Sequence, residues 1–327
     1  MNFRIFITGS GISEKAQQLL IDENCIFEVG DPKDTSEDIA CKLRKFNPDG
    51  IIVRQGKITR MVLESASNLK VICKHGVGTD NIDIDAASKK GIPVFYTPMA
   101  NYESVAEHTL ALILALIRRI PSLDASIRSG KFEKSNFNGL ELLDKCLGIV
   151  GFGRVGRRLA ELVAPFNMQV IVYDALDTKE ISQPYVRKVH SLEDLYVQAD
   201  IISLHCSLTP DTKNMINEHS IRQMKPGVMI INTARGGIIN ETDLFYALRE
   251  KRISGAALDV FEDEPPRPDN PLFKLHNTIY TPHIAGISDN SFITMGIQSV
   301  NNLLSLLKGK PVDVNSVINK EVLKEYF

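Results

Sequence analysis

The sequence predicts an α/β protein made of two doubly wound parallel-sheet domains. Three observations lead there. A chain of 327 residues is long for one domain and comfortable for two. Short β-branched runs alternate with amphipathic stretches, which is the βαβ rhythm of a parallel sheet. A long helical stretch from Ser104 to Arg119 then divides those runs into two series.

The first series is RIFIT (4–8), IIV (51–53), VICK (71–74) and PVFY (93–96). The dividing helix begins near Asn101 and stops before Pro121, whose ring and missing N–H end a helix. The second series is LGIVG (147–151), QVIVYD (169–174), DIISLH (200–205), VMIINT (228–233), GAALDV (255–260) and NTIYTP (277–282). Helices such as GRVGRRLAELVA and NETDLFYALREK fall between these strands. In the latter, Asn240 serves as N-cap and Asp243 places a carboxylate in the first turn. DNSFITMGIQSVNNLLSLLKG reads as a long amphipathic helix. The KPVDVN after it is a short extended tail with no partner in the second series, so it returns to the first domain. The expected domains are 1–99 plus 287–327 and, between them, 100–286. No low-complexity segment or internal repeat interrupts them.

Composition excludes several classes. A net charge of −2 leaves no electrostatic footprint for nucleic acid or an anionic membrane. The start, MNFRIFITGS, lacks the apolar core and cleavage site of a signal peptide. The longest apolar run, TLALILALI (109–117), is too short to span a bilayer and ends in Arg118 and Arg119. Cys25, Cys41, Cys73, Cys146 and Cys206 are odd in number, scattered and never spaced C-x-x-C. They imply reduced thiols in the cytoplasm, with neither a disulfide framework nor a metal site.

LGIVGFGRVGRRLAELV sets Gly151, Gly153 and Gly156 in a G-x-G-x-x-G between a strand and a helix. The motif alone is weak, but its context is complete, because the next strand ends in Asp174, 18 residues after Gly156. Gly151 permits a tight turn, Gly153 lets a pyrophosphate approach the backbone, and Gly156 allows close helix–strand packing. The helix N-terminus offers free N–H groups to phosphates. Asp174 suits the adenine-ribose 2′-hydroxyl and repels a 2′-phosphate, so the expected cofactor is NAD rather than NADP. The bland alternative is a glycine-rich turn with an ordinary strand-end aspartate.

Behind this fingerprint come INTARGG (231–237), LDVFEDEPP (258–266) and TPHIAG (281–286), each ending a predicted strand. Ligands gather at the carboxyl ends of strands in open parallel sheets. The three segments hold a cation, an acid and an imidazole, a set that suits reduction of a 2-oxo acid. Arg235 can grip a carboxylate through two prongs and polarise the carbonyl. His283 can donate the proton that the carbonyl oxygen needs. A carboxylate beside it favours the imidazolium and fixes its orientation. Singly, each residue has a plainer reading. A histidine near a strand end is usually structural, as His75, His108, His190, His205, His219 and His276 are expected to be in most cases. An arginine before Gly-Gly can cap a turn, and an acidic run before proline is usually surface. The ordered triple behind a cofactor fingerprint outweighs these readings.

The chain resembles the D-isomer-specific 2-hydroxyacid dehydrogenases over nearly its whole length. The likeness lies in KHGVGTDNID (74–83), NYESVAEHTLALIL (101–114), GFGRVGRRLA (151–160), TARGG (233–237), LDVFEDEPP and PHIAG. It implies a flavodoxin-like substrate domain and a Rossmann dinucleotide-binding domain. It also implies that Arg235 binds substrate, that Glu264 pairs with His283, and that His283 is the acid/base. Glu262 and Asp263 are then solvated turn residues. By the same resemblance, Val77 and Gly78 offer backbone N–H groups to the substrate carboxylate. Ser207, Leu208, Thr209 and Asp259 lie near the nicotinamide and ribose, although a strand-end aspartate can equally cap a turn. Arg154, Val155, Thr233, Ala234 and Gly286 complete the implied cofactor set.

Within the family, IIVRQGKIT, NLKVICKHGVGTDNIDIDAASKKGIPV and RRIPSLDASIRSGKFEKSNFNGLEL look like 3-phosphoglycerate dehydrogenases. A phosphorylated substrate wants further cations, for which Arg54, Lys74 and Lys134 are candidates or else surface charges. The family usually has arginine where Lys74 and Lys134 stand, and lysine loses the bidentate fork. Glyoxylate, hydroxypyruvate and other small anionic 2-hydroxy acids are the alternative substrates. Formate dehydrogenases share the scaffold but are expected to place glutamine where Glu264 stands. NAD-sensing corepressors share the fold too, yet nothing here marks a peptide groove. With no C-terminal extension, a regulatory amino-acid-binding domain is not expected. The family is usually dimeric through the region of helix 105–117 and RRIPSL, which here either buries against a second subunit or packs inside its own chain.

Overall fold

The computed structural model describes residues 2–132, 134, 137–176, 181 and 183–326. It contains two compact units, Met1–Asn101 with Ile287–Phe327, and Tyr102–Gly286.

The first unit holds strands β1 (Arg4–Ile7), β2 (Ile26–Val29), β3 (Gly50–Val53), β4 (Val71–Lys74) and β5 (Val94–Phe95) in a parallel sheet ordered β2-β1-β3-β4-β5. Strands β1, β3, β4 and β5 read as near-continuous apolar runs because both of their faces are covered. Phe6, Ile51, Val53, Ile72 and Val94 face a cluster with Ile39, Leu43, Val62 and Ala87. These come from helices α2 (Ser36–Phe46), α3 (Arg60–Glu64) and α4 (Ile84–Lys89). Ile5, Ile7, Ile52, Val71, Cys73 and Phe95 face the opposite cluster. Ala16 and Leu20 of α1 (Glu14–Asp22) and Val300 and Leu303 of the closing helix, Asp289–Leu307, cover it. The tail is a 3₁₀ turn, Val314–Ser316, rather than a simple extended segment. It does reach the first sheet, where Val317 bridges Phe95 and Ile318 N–H donates to Val94 O at 2.9 Å. The strand order reverses between β1 and β3, so the loops after them, carrying Ser10 and Arg54, flank a topological switch point.

The second unit carries β6 (Cys146–Val150), β7 (Gln169–Tyr173), β8 (Val186–Lys188), β9 (Ile201–Leu204), β10 (Val228–Asn232), β11 (Ile253–Leu258) and β12 (Thr278–Tyr280). All pair in parallel, in the order β12-β11-β10-β9-β6-β7-β8. Six of these strands have the Rossmann order, with β12 added at one edge. Helices α5 (Tyr102–Ile117) and α7 (Arg154–Val163) cover one face, and α8 (Leu192–Tyr196), α9 (Glu218–Gln223) and α10 (Glu241–Arg249) the other. Arg158 of α7 holds Glu103 of α5 through Nε and Nη2 at 2.8–2.9 Å. Asn240 accepts from Asp243 N–H at 3.0 Å and so caps α10. Helix α5 does stop before Pro121, but a second helix, α6 (Ile120–Arg128), starts there at once. Pro121 sits in its first turn, where a missing N–H costs nothing. Among the described residues no helix is long and apolar enough to cross a membrane.

Candidate active site

The glycine motif follows β6 directly. Gly151 has φ +93°, and a Cβ there would lie 2.7 Å from Cys206 N and His205 C. Only glycine fits. A Cβ on Gly156 would stand 2.4 Å from Gly151 O, so this residue sets the close approach of α7 to the loop. Gly153, by contrast, caps α7 and has nothing within 4 Å of its Cβ position. That opening, in front of the free N–H groups of the first turn at Arg154 and Val155, suits a phosphate. Asp174 follows β7; its Oδ2 accepts from Phe152 N–H at 2.7 Å and its Oδ1 from Leu176 N–H at 2.9 Å. Beside it lies a cavity of about 190 Å³ whose lining includes Phe152, Gly153, Arg157, Val172, Asp174 and Lys188. The residues present thus fit a dinucleotide. Ser207, Leu208 and Thr209 are exposed after β9, and Thr233 is buried with its hydroxyl 2.9 Å from that of Thr109. Ala234 N–H donates to Asn232 Oδ1 at 3.0 Å, and Gly286 closes the unit.

Arg235, Glu264 and His283 stand after β10, β11 and β12, three neighbouring strands. A glycine brings the first two loops together: a Cβ on Gly236 would lie 1.8 Å from Phe261 O, so the Arg235 turn rests directly on the Phe261–Glu262 backbone. Glu264 Oε1 accepts from Phe261 N–H at 3.1 Å, while Oε2 lies 2.6 Å from His283 Nδ1. Burial pushes the Glu264 carboxyl up. The His283 hydrogen bond and charge, the Phe261 N–H and the Arg235 charge outweigh that and hold it below its ordinary value. A carboxylate at that distance calls for a proton on Nδ1, which leaves Nε2 as the exchanging nitrogen. Glu262 and Asp263 are exposed. His283 itself adopts φ +53°, an uncommon conformation for a residue with a Cβ, and such outliers concentrate at functional sites.

The other histidines differ from this pair. His205, directly after β9, is partly buried with Nε2 2.8 Å from Ser203 Oγ, and burial drops its pKa to about 4. His75 is also buried; burial, with Arg54 nearby, lowers its pKa to about 4.

In the first unit, Arg54 follows β3 and Lys74 ends β4, strands that pair with each other. The Arg54 guanidinium lies over the Phe292 ring, 4.7 Å from its centroid. Its Nη1 donates to the Ser10 hydroxyl and, at 3.0 Å, to Gly11 O. Lys74 Nζ donates to Asn81 Oδ1 at 2.9 Å. Val77 is exposed and Gly78 partly so, just beyond Gly76, which is pinned by Thr97 Oγ1 at 3.0 Å. Lys134 is exposed in the segment after α6. Arg157, Lys188, Ser10 and Phe292 were not singled out from the sequence. Only Arg157, one turn into the helix after the glycines, carried a local signal.

Residues 110–285 match the family model described as D-isomer specific 2-hydroxyacid dehydrogenase, NAD binding domain. A D-3-phosphoglycerate dehydrogenase of Archaeoglobus fulgidus is 41% identical over 277 residues, 84% of this chain and 52% of that protein. One from Methanocaldococcus jannaschii is 42% identical over 278 residues, again 84% and 52%. The chain therefore spans about half the length of these curated relatives. Among solved structures, the TT0316 protein from Thermus thermophilus superposes with a TM-score of 0.88 at 32% identity, covering 96% of this chain and 99% of that one. Matched over more than half its length, the chain belongs to the D-isomer-specific 2-hydroxyacid dehydrogenase family.

Proposed function

We propose that the protein is an NAD-dependent D-2-hydroxyacid dehydrogenase that interconverts 3-phosphoglycerate and 3-phosphohydroxypyruvate. The observation that carries the chemistry is the 2.6 Å contact between Glu264 and His283 at the strand ends behind the glycine motif. The relatives' names supply the substrate. NAD, held at the glycine loop and the N-terminus of α7, would supply the hydride acceptor for oxidation and, in its reduced form, the hydride donor for reduction. Arg235 binds the carboxylate, assisted by the Val77 and Gly78 amides, and polarises the carbonyl. In oxidation, His283 Nε2 accepts the hydroxyl proton, and the ionised Glu264 stabilises the imidazolium that results. In reduction the same nitrogen gives the proton back. Arg54, Lys74 and Lys134 serve the phosphate.

Gly151, Gly153 and Gly156 with the N-terminus of α7 hold the cofactor pyrophosphate, and Asp174 holds the adenine ribose and rejects a 2′-phosphate. Arg154, Val155, Ser207, Leu208, Thr209, Thr233, Ala234, Asp259 and Gly286 are its remaining contacts. One observation favours a second substrate. Lys74 is already bonded to Asn81, which suits a smaller acid such as glyoxylate or hydroxypyruvate. Helix α6 buries no residue of its own and exposes Ile120 and Ile127, with Phe132 beyond it, a row that suits a homodimer. The five free cysteines suit the cytoplasm.

The test is a steady-state screen of 3-phosphoglycerate, glycerate, glyoxylate and hydroxypyruvate with both cofactors, on wild type and His283→Ala. Turnover of 3-phosphoglycerate with NAD, lost in the variant, is the expected outcome. No turnover of 3-phosphoglycerate removes the substrate, and an active His283→Ala removes the mechanism.

A further inference from the structure

We infer that Ser10 and Phe292 hold Arg54 as a preset fork for a second anionic group on the substrate, and that these two residues thereby set the preference for a phosphorylated over an unphosphorylated 2-oxo acid. The inference rests on the reading that Arg54 serves the substrate phosphate.

The Arg54 guanidinium is constrained along one edge and over one face. Its Nη1 commits both protons to the loop after β1, one to the Ser10 hydroxyl and one, at 3.0 Å, to Gly11 O. The Phe292 ring covers a face, with its centroid 4.7 Å from the guanidinium carbon. Among the described residues, Nε and Nη2 donate to no protein group. What is left is the Nε–Nη2 edge, two parallel donors spaced for two oxygens of one phosphate or carboxylate. Arg54 is half-buried, so an anion at this edge meets the charge with less screening by water.

The root of the fork and its platform are themselves fixed. Thr8, 1% exposed, accepts from Arg54 N–H at 3.0 Å and donates to Gln55 O at 2.6 Å, which ties the Arg54 backbone to the end of β1. Phe292 stands in the first turn of the closing helix, where its N–H donates to Ser288 O at 2.9 Å. Ser288 caps that turn by accepting from Ser291 N–H at 3.2 Å. The Phe292 ring also meets His75, with centroids 5.2 Å apart and planes tilted by 56°. His75 is buried and its pKa is lowered to about 4, so at neutral pH it carries no charge. The stack therefore holds a single cation, and no second charge pushes the guanidinium out of place.

An arginine side chain samples many rotamers in water, and gripping an anion freezes it. Here Ser10 and Phe292 impose the geometry during folding, so less ordering remains when substrate binds. A substrate without a second anionic group gains nothing from this, because the free edge then faces water. Ser10 and Phe292 act on Arg54 and not on the reacting atoms, which makes them positioning residues. The phosphate is unaltered by the reaction and is bound alike in ground and transition states, so the discrimination falls in KM rather than in kcat.

The test measures kcat and KM for reduction of 3-phosphohydroxypyruvate and of hydroxypyruvate, the same skeleton without the phosphate. Phe292→Leu should raise KM about tenfold more for the phosphorylated substrate than for the other, and Ser10→Ala about fivefold more. Phe292→Tyr and Ser10→Thr keep the ring and the hydroxyl, and should restore the wild-type ratio. Combined with Arg54→Ala, neither Phe292→Leu nor Ser10→Ala should change the ratio further, because the residue through which they act is gone. Equal KM shifts for the two substrates, or a selective shift that persists in the Arg54→Ala background, would show that Ser10 and Phe292 serve the structure and not the fork. If Phe292→Leu does not fold, the Ser10 pair decides alone. A selective KM loss in Arg54→Ala beside wild-type ratios in Phe292→Leu and Ser10→Ala overturns only the positioning. An Arg54→Ala variant that weakens both substrates equally overturns the phosphate reading of Arg54, and the inference with it.

Discussion

Gly236→Ala is the sharpest perturbation the site offers, because its consequence can be worked from contact distances. A Cβ on Gly236 would stand 1.8 Å from Phe261 O, 1.9 Å from Phe261 C and 2.5 Å from Glu262 N. All three are backbone atoms, so no rotamer change relieves the clash. Real Cβ contacts start at about 3.0 Å, so the Arg235 turn and the Phe261 strand end must separate by about 1.2 Å. Glu264 travels with Phe261 through the Phe261 N–H bond to Oε1, and Arg235 travels with its own turn. The substitution therefore parts Arg235 from the Glu264–His283 pair. A misplacement of about 1 Å can cost about 100-fold in rate, or about 2.7 kcal/mol in the barrier. Overpacking adds roughly 1–3 kcal/mol of lost stability. The assay is kcat/KM at a temperature well below the variant's Tm, with NADH binding as the check on folding. Gly237→Ala is the built-in control. Its Cβ meets only the flexible Leu208 side chain, at 3.2 Å, so it should stay within about threefold of wild type. Equal kcat/KM for Gly236→Ala and wild type would refute the account of how the two loops are held together.

Two further outcomes are expected. The Glu264 carboxyl is held below its ordinary 4.5, so its contribution to stability is fully present above that value and disappears as pH falls through the lowered folded value. The Tm gap between wild type and Glu264→Gln should therefore close in acid; a gap that persists undiminished in acid would contradict the pairing. Asp174 shares its cavity with Arg157 and Lys188. Wild type should prefer NADH over NADPH by at least about tenfold in kcat/KM, about 1.4 kcal/mol, and Asp174→Ala should erase that preference by leaving the two cations to a 2′-phosphate. An unchanged cofactor ratio in Asp174→Ala would take the discrimination away from this residue.

What was legible in the sequence was local. The glycine motif, Asp174 and the three strand-end segments each announce themselves within a few residues, because a turn and its function share the same backbone. Strands buried on both faces were legible for a similar reason, since burial writes an apolar run. The edges were not. β2, IFEV, pairs only with β1 and leaves Ile26 and Val29 exposed, and β8, VRK, pairs only with β7. Neither shows the periodicity that two covered faces impose. Helix α6 was missed because none of its residues is buried, so no stripe marks it. The arrangement around Asp259 was hidden differently. The residue was visible and a turn-capping role was open, but its carboxylate accepts from the Thr281 hydroxyl and from Ile284 and Ala285 N–H, more than twenty residues on. The stack of Phe292 on Arg54 joins the two ends of the chain, and nothing near either residue could have signalled it.

The division of the first unit between those two ends has a consequence for how the protein is made. One face of its sheet, with Ile5, Ile7, Ile52, Val71, Cys73 and Phe95, is closed by Val300, Leu303, Leu304 and Leu306 of the closing helix. A ribosome delivers those leucines long after the sheet strands they cover. Tyr102–Gly286 has emerged in full by then, with its own sheet and its own cores. The first unit is thus begun before the second and closed after it. Throughout translation of the intervening residues it carries a bare apolar sheet face, the surface on which nascent chains most readily associate with one another. The hazard period for this protein is set by the length of the inserted unit and the speed of the ribosome, not by the intrinsic rate at which either sheet assembles.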